Sequence, residues 1–101
     1  MTPTCNGAPL NAWEQAWLTE VGGRLRTARL ISRLSQDALA AKAGVSRVSL
    51  GSIERAEHVA SLLMYRRLAA ALDLPLADLV ADLPDEAPKQ LHATSDRQDV
   101  P

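Results

Sequence analysis

Two serines, Ser35 and Ser46, each open a short helical pattern, and one glycine, Gly44, stands between the two runs in SQDALAAKAGVSRVSLGSIER. A serine hydroxyl just before a helix accepts from an otherwise orphaned backbone N–H of the first turn, and a glycine just past a helix end takes the left-handed conformation that stops it. The first run carries Gln36 and Asp37 in its opening turn and an apolar side of Ala38, Leu39 and Ala43; the second turns Leu50 and Ile53 inward. Two helices of about eight residues joined through such a turn cross steeply only where their backbones approach closely, which places Ala40 at the crossing. With Val45, Leu50 and Ile53 bracing the second helix from behind, Arg47, Val48, Gly51, Ser52 and Arg55 remain on its outer side. The face is sparse, and its purpose is the question the chain poses.

The rest of the chain is read around this pair. A length of 101 residues and 47% hydrophobic content give one small domain; with no Phe and one Tyr its core is aliphatic, which favours an all-α fold. Residues 1–10 show no periodicity and read as a flexible lead. Asn11 and Glu14 have the side chains of a reciprocal N-terminal cap, so residues 11–17 form a helical extension with Trp13 and Trp17 one turn apart. Gly22 and Gly23 leave open whether this extension breaks or continues. From Leu18 the positions Leu18, Val21, Leu25 and Ala28 mark one face of a first helix ending near Ser32, with Leu30 off that face and the tryptophan segment as its candidate cover. Ser61 caps a fourth helix with Leu62, Tyr65, Leu68, Ala69 and Leu72 in period, and Pro75 opens a fifth running to Leu83. The domain therefore spans 11–83, with its core at 18–83, and residues 84–101, rich in proline and charge, read as a disordered tail.

Several function classes are disfavoured. His58, His92 and the single Cys5 lack the spacing of a metal site, no nucleophile, base and orienter set is recognisable, and no glycine loop is built for phosphates, so neither an enzyme nor a cofactor is expected. No apolar run approaches the ~20 residues of a membrane span, and the first ten residues lack the basic start of an export signal, which favours the cytoplasm. The net charge of −1 hides an uneven distribution. From Leu18 to Val80 nine Lys/Arg face six acids, a net +3 that the flanks reverse. A mildly basic centre permits an anionic partner.

The stretches VGGRLRTAR, LSQDALAAKAGVSRVSLGSIER and LAAALDLPLADL together resemble the Cro and phage-repressor helix-turn-helix family of the xenobiotic-response-element type, over about Val21 to Leu79. The resemblance implies a five-helix, lambda-repressor-like domain and a transcriptional regulator, with repressor the favoured role, that lays its third helix in the major groove of double-stranded DNA. Gln36 and Ser46 then match phosphate-contacting positions, and Arg47, Val48 and Ser52 match positions aimed at base edges. Gly51 and Arg55 complete the DNA-facing set, while Arg29 and Glu54 match an internal ion pair. Arg47 has the fork for guanine O6 and N7, Val48 suits a thymine methyl, and Ser52 discriminates little, so phosphates and duplex shape carry much of the recognition. Two departures bear on affinity: Arg33 replaces a frequent glycine after the first helix, and Arg55, Ala56, Glu57 and His58 replace a polar residue, glycine and basic loop. One short helix covers few base pairs, so a homodimer is expected, with Val80 and Leu83, or alternatively Trp13 and Trp17, as its surface. The rival reading uses the same scaffold as a protein-interaction module or antitoxin with a toxin or another regulator as partner.

Overall fold

The computed structural model describes residues 3–81 and residue 83. Its longest element is α1 (Ala12–Ile31), opened by the reciprocal cap in which the Asn11 side chain accepts from Glu14 N at 2.8 Å and the Glu14 carboxylate accepts from Asn11 N at 2.9 Å. The two glycines do not break this helix. Gly22 is buried against the third helix, where a Cβ would stand 2.5 Å from the Ile53 carbonyl oxygen, so its missing side chain permits a close crossing. The tryptophan segment is thereby continuous with α1 and cannot fold back over Leu30: thirteen residues at ~1.5 Å rise separate Trp17 from Leu30 along the axis. Leu30 is accordingly 50% exposed, and its expected cover is absent.

α2 (Gln36–Ala43) and α3 (Arg47–Glu54) begin at Ser35 and Ser46, whose hydroxyls accept from Ala38 N at 3.0 Å and Ser49 N at 2.9 Å. α4 (Leu62–Ala71) follows Ser61, which accepts from Met64 N at 3.1 Å. α5 (Ala77–Val80) is one short turn rather than the nine residues expected from Pro75; the carbonyls of Pro75 and Leu76 accept from Asp78 and Leu79 as the chain enters it. Arg24 of α1 donates to the backbone carbonyls of Asp78 and Ala81 and so fixes α5 at its far end.

α1 packs on α3 and α5, and α2 packs on both α3 and α4. Val21, Leu25, Leu39, Leu50, Ile53, Leu68 and Leu79 are the largest fully buried side chains, an aliphatic core contributed by all five helices. Two inward assignments are corrected. Ala38 is exposed, and Ala40, Leu39 and Ala43 form the buried side of α2. Leu62 keeps the period of α4 yet is 72% exposed, because periodicity fixes which way a residue points and not whether a neighbouring element reaches it.

The lead segment, read as aperiodic, holds a short hairpin. Thr4–Cys5 (β1) and Ala8–Pro9 (β2) pair antiparallel, Thr4 opposite Pro9 and Cys5 opposite Ala8, across Asn6 and Gly7 at φ +55° and +82°. Both central residues at positive φ define the turn that Asn-Gly favours between two strands. The expected tail at 84–101 lies outside the described residues.

Candidate nucleic-acid interface

The turn between α2 and α3 is built by backbone chemistry. Gly44 at φ +73° ends α2, its N–H reaching the Ala41 carbonyl at 3.3 Å, and Val45 N donates to the Ala40 carbonyl at 3.0 Å. These two bonds satisfy carbonyls that the helix end would otherwise orphan. Ser46 then starts α3 at once, so the helix emerges with Leu50 and Ile53 at 0% and 1% exposure beneath it. Val45 packs partly buried against the same cluster.

On the outer side Val48 is 73% exposed, the Arg47 and Arg55 side chains are 60% and 57% exposed, and Ser52 is half-buried. Gly51 departs from its expected place. It is buried, because the Arg55 guanidinium and the Gln36 amide lie across it, 3.1 Å and 3.8 Å from where a Cβ would stand. The structure thus brings Gln36, Gly51 and Arg55 together as one layer and leaves Arg47 and Val48 projecting beyond it.

Behind this layer lies a bonded network that fixes the angle of α3. Arg29 of α1 donates to Glu54 of α3 through Nε at 2.7 Å and Nη2 at 3.1 Å, and through Nη1 to the Leu34 carbonyl at 2.9 Å. Both residues are buried, Arg29 at 7% and Glu54 at 8% exposure. The hydrogen bond to Glu54 raises the Arg29 guanidinium above its ordinary pKa, burial opposes the shift, and the charge of Glu54 adds to it. Gln36 of α2 donates its amide to Glu54 Oε1 at 3.0 Å, so the side chain expected on a phosphate is also the third member of this network. Three helices therefore meet at one carboxylate. Charge-assisted bonds in a two-pronged geometry are the stronger kind and restrict orientation as well as distance.

Three contributors escaped the sequence reading. Asp37, in the first turn of α2, stands with Oδ1 3.2 Å from Arg47 Nε. Arg67 of α4 donates to the Gly44 carbonyl at 3.4 Å and lines an open cleft with Ser46, Ser49 and Ser61. Gln15 donates to the Ala56 carbonyl at 3.2 Å and ties the start of α1 to the chain leaving α3. All three depend on contacts between separate elements, for which the sequence carries no local sign. Arg33 and Ala56 adopt φ +60° and +59°, so both stand in backbone geometry that favours glycine.

The candidate pairing surfaces are distinct in the fold. Val80 at the end of α5 is 36% exposed, and Leu83 packs partly buried against the core. Trp13 and Trp17 line a cleft of about 330 Å³ with Cys5, Leu10, Glu14, Leu18 and Val59 at the start of α1. Among the described residues no three His, Cys, Asp or Glu side chains are grouped to hold a metal ion, and no helix is long and apolar enough to cross a membrane.

No curated protein sequence matches the chain significantly. Solved structures do. The restriction-modification controller protein C.AhdI from Aeromonas hydrophila is 39% identical over 61% of this chain and 94% of its own, with a TM-score of 0.61. An HTH_3 family transcriptional regulator from Vibrio cholerae is 28% identical with a TM-score of 0.64, over 68% of this chain and 39% of that longer protein. A complex of SinR protein with SinI protein aligns at 25% identity and a TM-score of 0.60, over 79% of each chain. A family profile described as a helix-turn-helix domain matches residues 20–83, the span that holds all of α2 to α5, and the chain belongs to that family.

Proposed function

We propose that the chain is a DNA-binding transcriptional regulator, a repressor that binds operator DNA as a homodimer with α3 in the major groove. The observation that carries this reading is the division of α3: Leu50 and Ile53 are sealed in the core while Val48 and Arg47 project. Membership of the helix-turn-helix family and the regulators among its structural relatives support it. In this reading Arg47 addresses a guanine edge, Val48 packs on a thymine methyl and Ser52 adds a weakly selective bond. Gln36 and Ser46 contact phosphates. Gly51 lets Arg55 and Gln36 lie flat beside the groove, and Arg55 meets the backbone. The dimer places two copies of α3 about one helical turn, ~34 Å, apart, through Val80 and Leu83.

Selection of bound duplexes from a random DNA pool tests the reading. A two-fold-related consensus is expected; recovery of no enriched sequence would remove it. Against the selected operator, Arg47→Ala is expected to lose discrimination at one or two base positions, while Gln36→Ala weakens all sequences alike.

A second reading has its own support. The Trp13 and Trp17 cleft is open, and SinR is solved in complex with a protein, SinI. A protein partner, a toxin or another regulator, would then occupy the cleft at the start of α1. Binding of such a partner is expected to survive high salt, which separates it from duplex binding through phosphates.

A further inference from the structure

We propose that Asp37 is a specificity-determining residue of the DNA interface, acting as a positioning residue for Arg47. The inference rests on the proposal that α3 reads DNA. Its basis is the contact in which Asp37 Oδ1 stands 3.2 Å from Arg47 Nε, with the two side chains 78% and 60% exposed. An exposed ion pair contributes little to stability, so this one has no marked structural purpose. Its placement is informative. Asp37 stands in the first turn of α2 and Arg47 is the first residue of α3, so the pair bridges the starts of the two helices, both side chains open to solvent.

The chemistry follows from which edge of the guanidinium is taken. The contact is an ion pair beside Nε without the alignment of a hydrogen bond, so the carboxylate attracts the guanidinium by charge and leaves Nη1 and Nη2 uncommitted, whose outward N–H groups form the parallel pair that fits guanine O6 and N7. An arginine without such a brace is long and flexible and reaches a phosphate as readily as a base, which adds affinity without selectivity. The same carboxylate repels phosphate and cancels one positive charge on the face, so it lowers attraction to every duplex alike. Asp37 therefore gives up general affinity and holds the fork for one base.

The test compares the full chain with Asp37→Asn, Arg47→Ala and the double variant by fluorescence anisotropy. Each is titrated against the selected operator, operators with each guanine replaced by adenine, and a random duplex. Asp37→Asn keeps the shape and removes the charge. It is expected to lower the preference for one guanine about tenfold and to leave random-duplex binding equal or tighter. In the Arg47→Ala background it is expected to leave that preference unchanged, because the residue it positions is gone. Undiminished guanine preference in Asp37→Asn overturns the proposal while the DNA reading stands; absence of duplex binding by the parent chain overturns both. A fall in operator and random binding by the same factor also overturns it, since that marks a general structural effect. Thermal unfolding of each variant accompanies the titrations. If Asp37→Asn melts early, Asp37→Glu, which restores the charge, is expected to recover the guanine preference, and failure to do so counts against the proposal.

Discussion

At the scale of single residues, two adjacent glycines in α1 separate packing from propensity. Gly22 faces backbone, with a Cβ position 2.5 Å from the Ile53 oxygen and 2.9 Å from the Glu54 oxygen, whereas Gly23 faces nothing within 4 Å. The Ile53 carbonyl accepts from Ala56 N at 3.0 Å in the turn that ends α3, so turning it away breaks that bond, and Gly22→Ala is expected to destabilise by about 2 kcal/mol, the range of overpacked cores. Gly23→Ala should stabilise by about 1 kcal/mol, because alanine is the better helix former on an open face. Urea unfolding of the two variants reads both signs; equal effects would contradict the close crossing. Arg29→Ala leaves Glu54 buried with Gln36 as its remaining partner, and removal of one member of such a pair costs about 3 to 5 kcal/mol. Unchanged thermal unfolding in that variant would remove the network from the account.

Helix ends show which parts of the fold were readable beforehand. The caps at Ser35, Ser46 and Ser61 were legible because the bond each makes spans three residues, within reach of local sequence. The hairpin is equally local: its sign is the Asn6-Gly7 pair, which composition alone does not show. Gly22 against α3, Gln36 on Glu54 and Asp37 beside Arg47 were not legible, since each needs a second element whose position the sequence does not print. Leu30 has a named cover and Leu62 the right period, yet both stay exposed because no element among the described residues reaches far enough over them. The outer residues of α3 were foreseen except for Gly51, which the Arg55 and Gln36 side chains cover. One prediction belongs to this scale. Arg33 follows the α1 cap residue Ser32 at φ +60°, with Leu34 N bonded to the Arg29 carbonyl at 3.1 Å. A side chain there costs about 1 kcal/mol of backbone energy. Arg33→Gly is expected to raise the melting temperature by a few degrees; a lower one would show that the arginine side chain contributes more than its strain.

For the whole molecule, the shortness of α3 and the mild charge of the chain make self-association the decisive matter for the proposed function. A charge placed at Val80, 36% exposed at the end of α5, should weaken self-association and operator binding together if the pairing surface lies there. Sedimentation of Val80→Asp beside the parent measures the first effect, and a parent already monomeric on its operator would exclude this surface. Docking of α3 and its flanks on a phosphate-lined duplex, as proposed, is read out by the salt dependence of operator affinity. The logarithm of the association constant is expected to fall linearly with the logarithm of salt concentration, at a slope of about −0.9 per phosphate engaged and several phosphates in all. An affinity that stays constant as salt rises would contradict it.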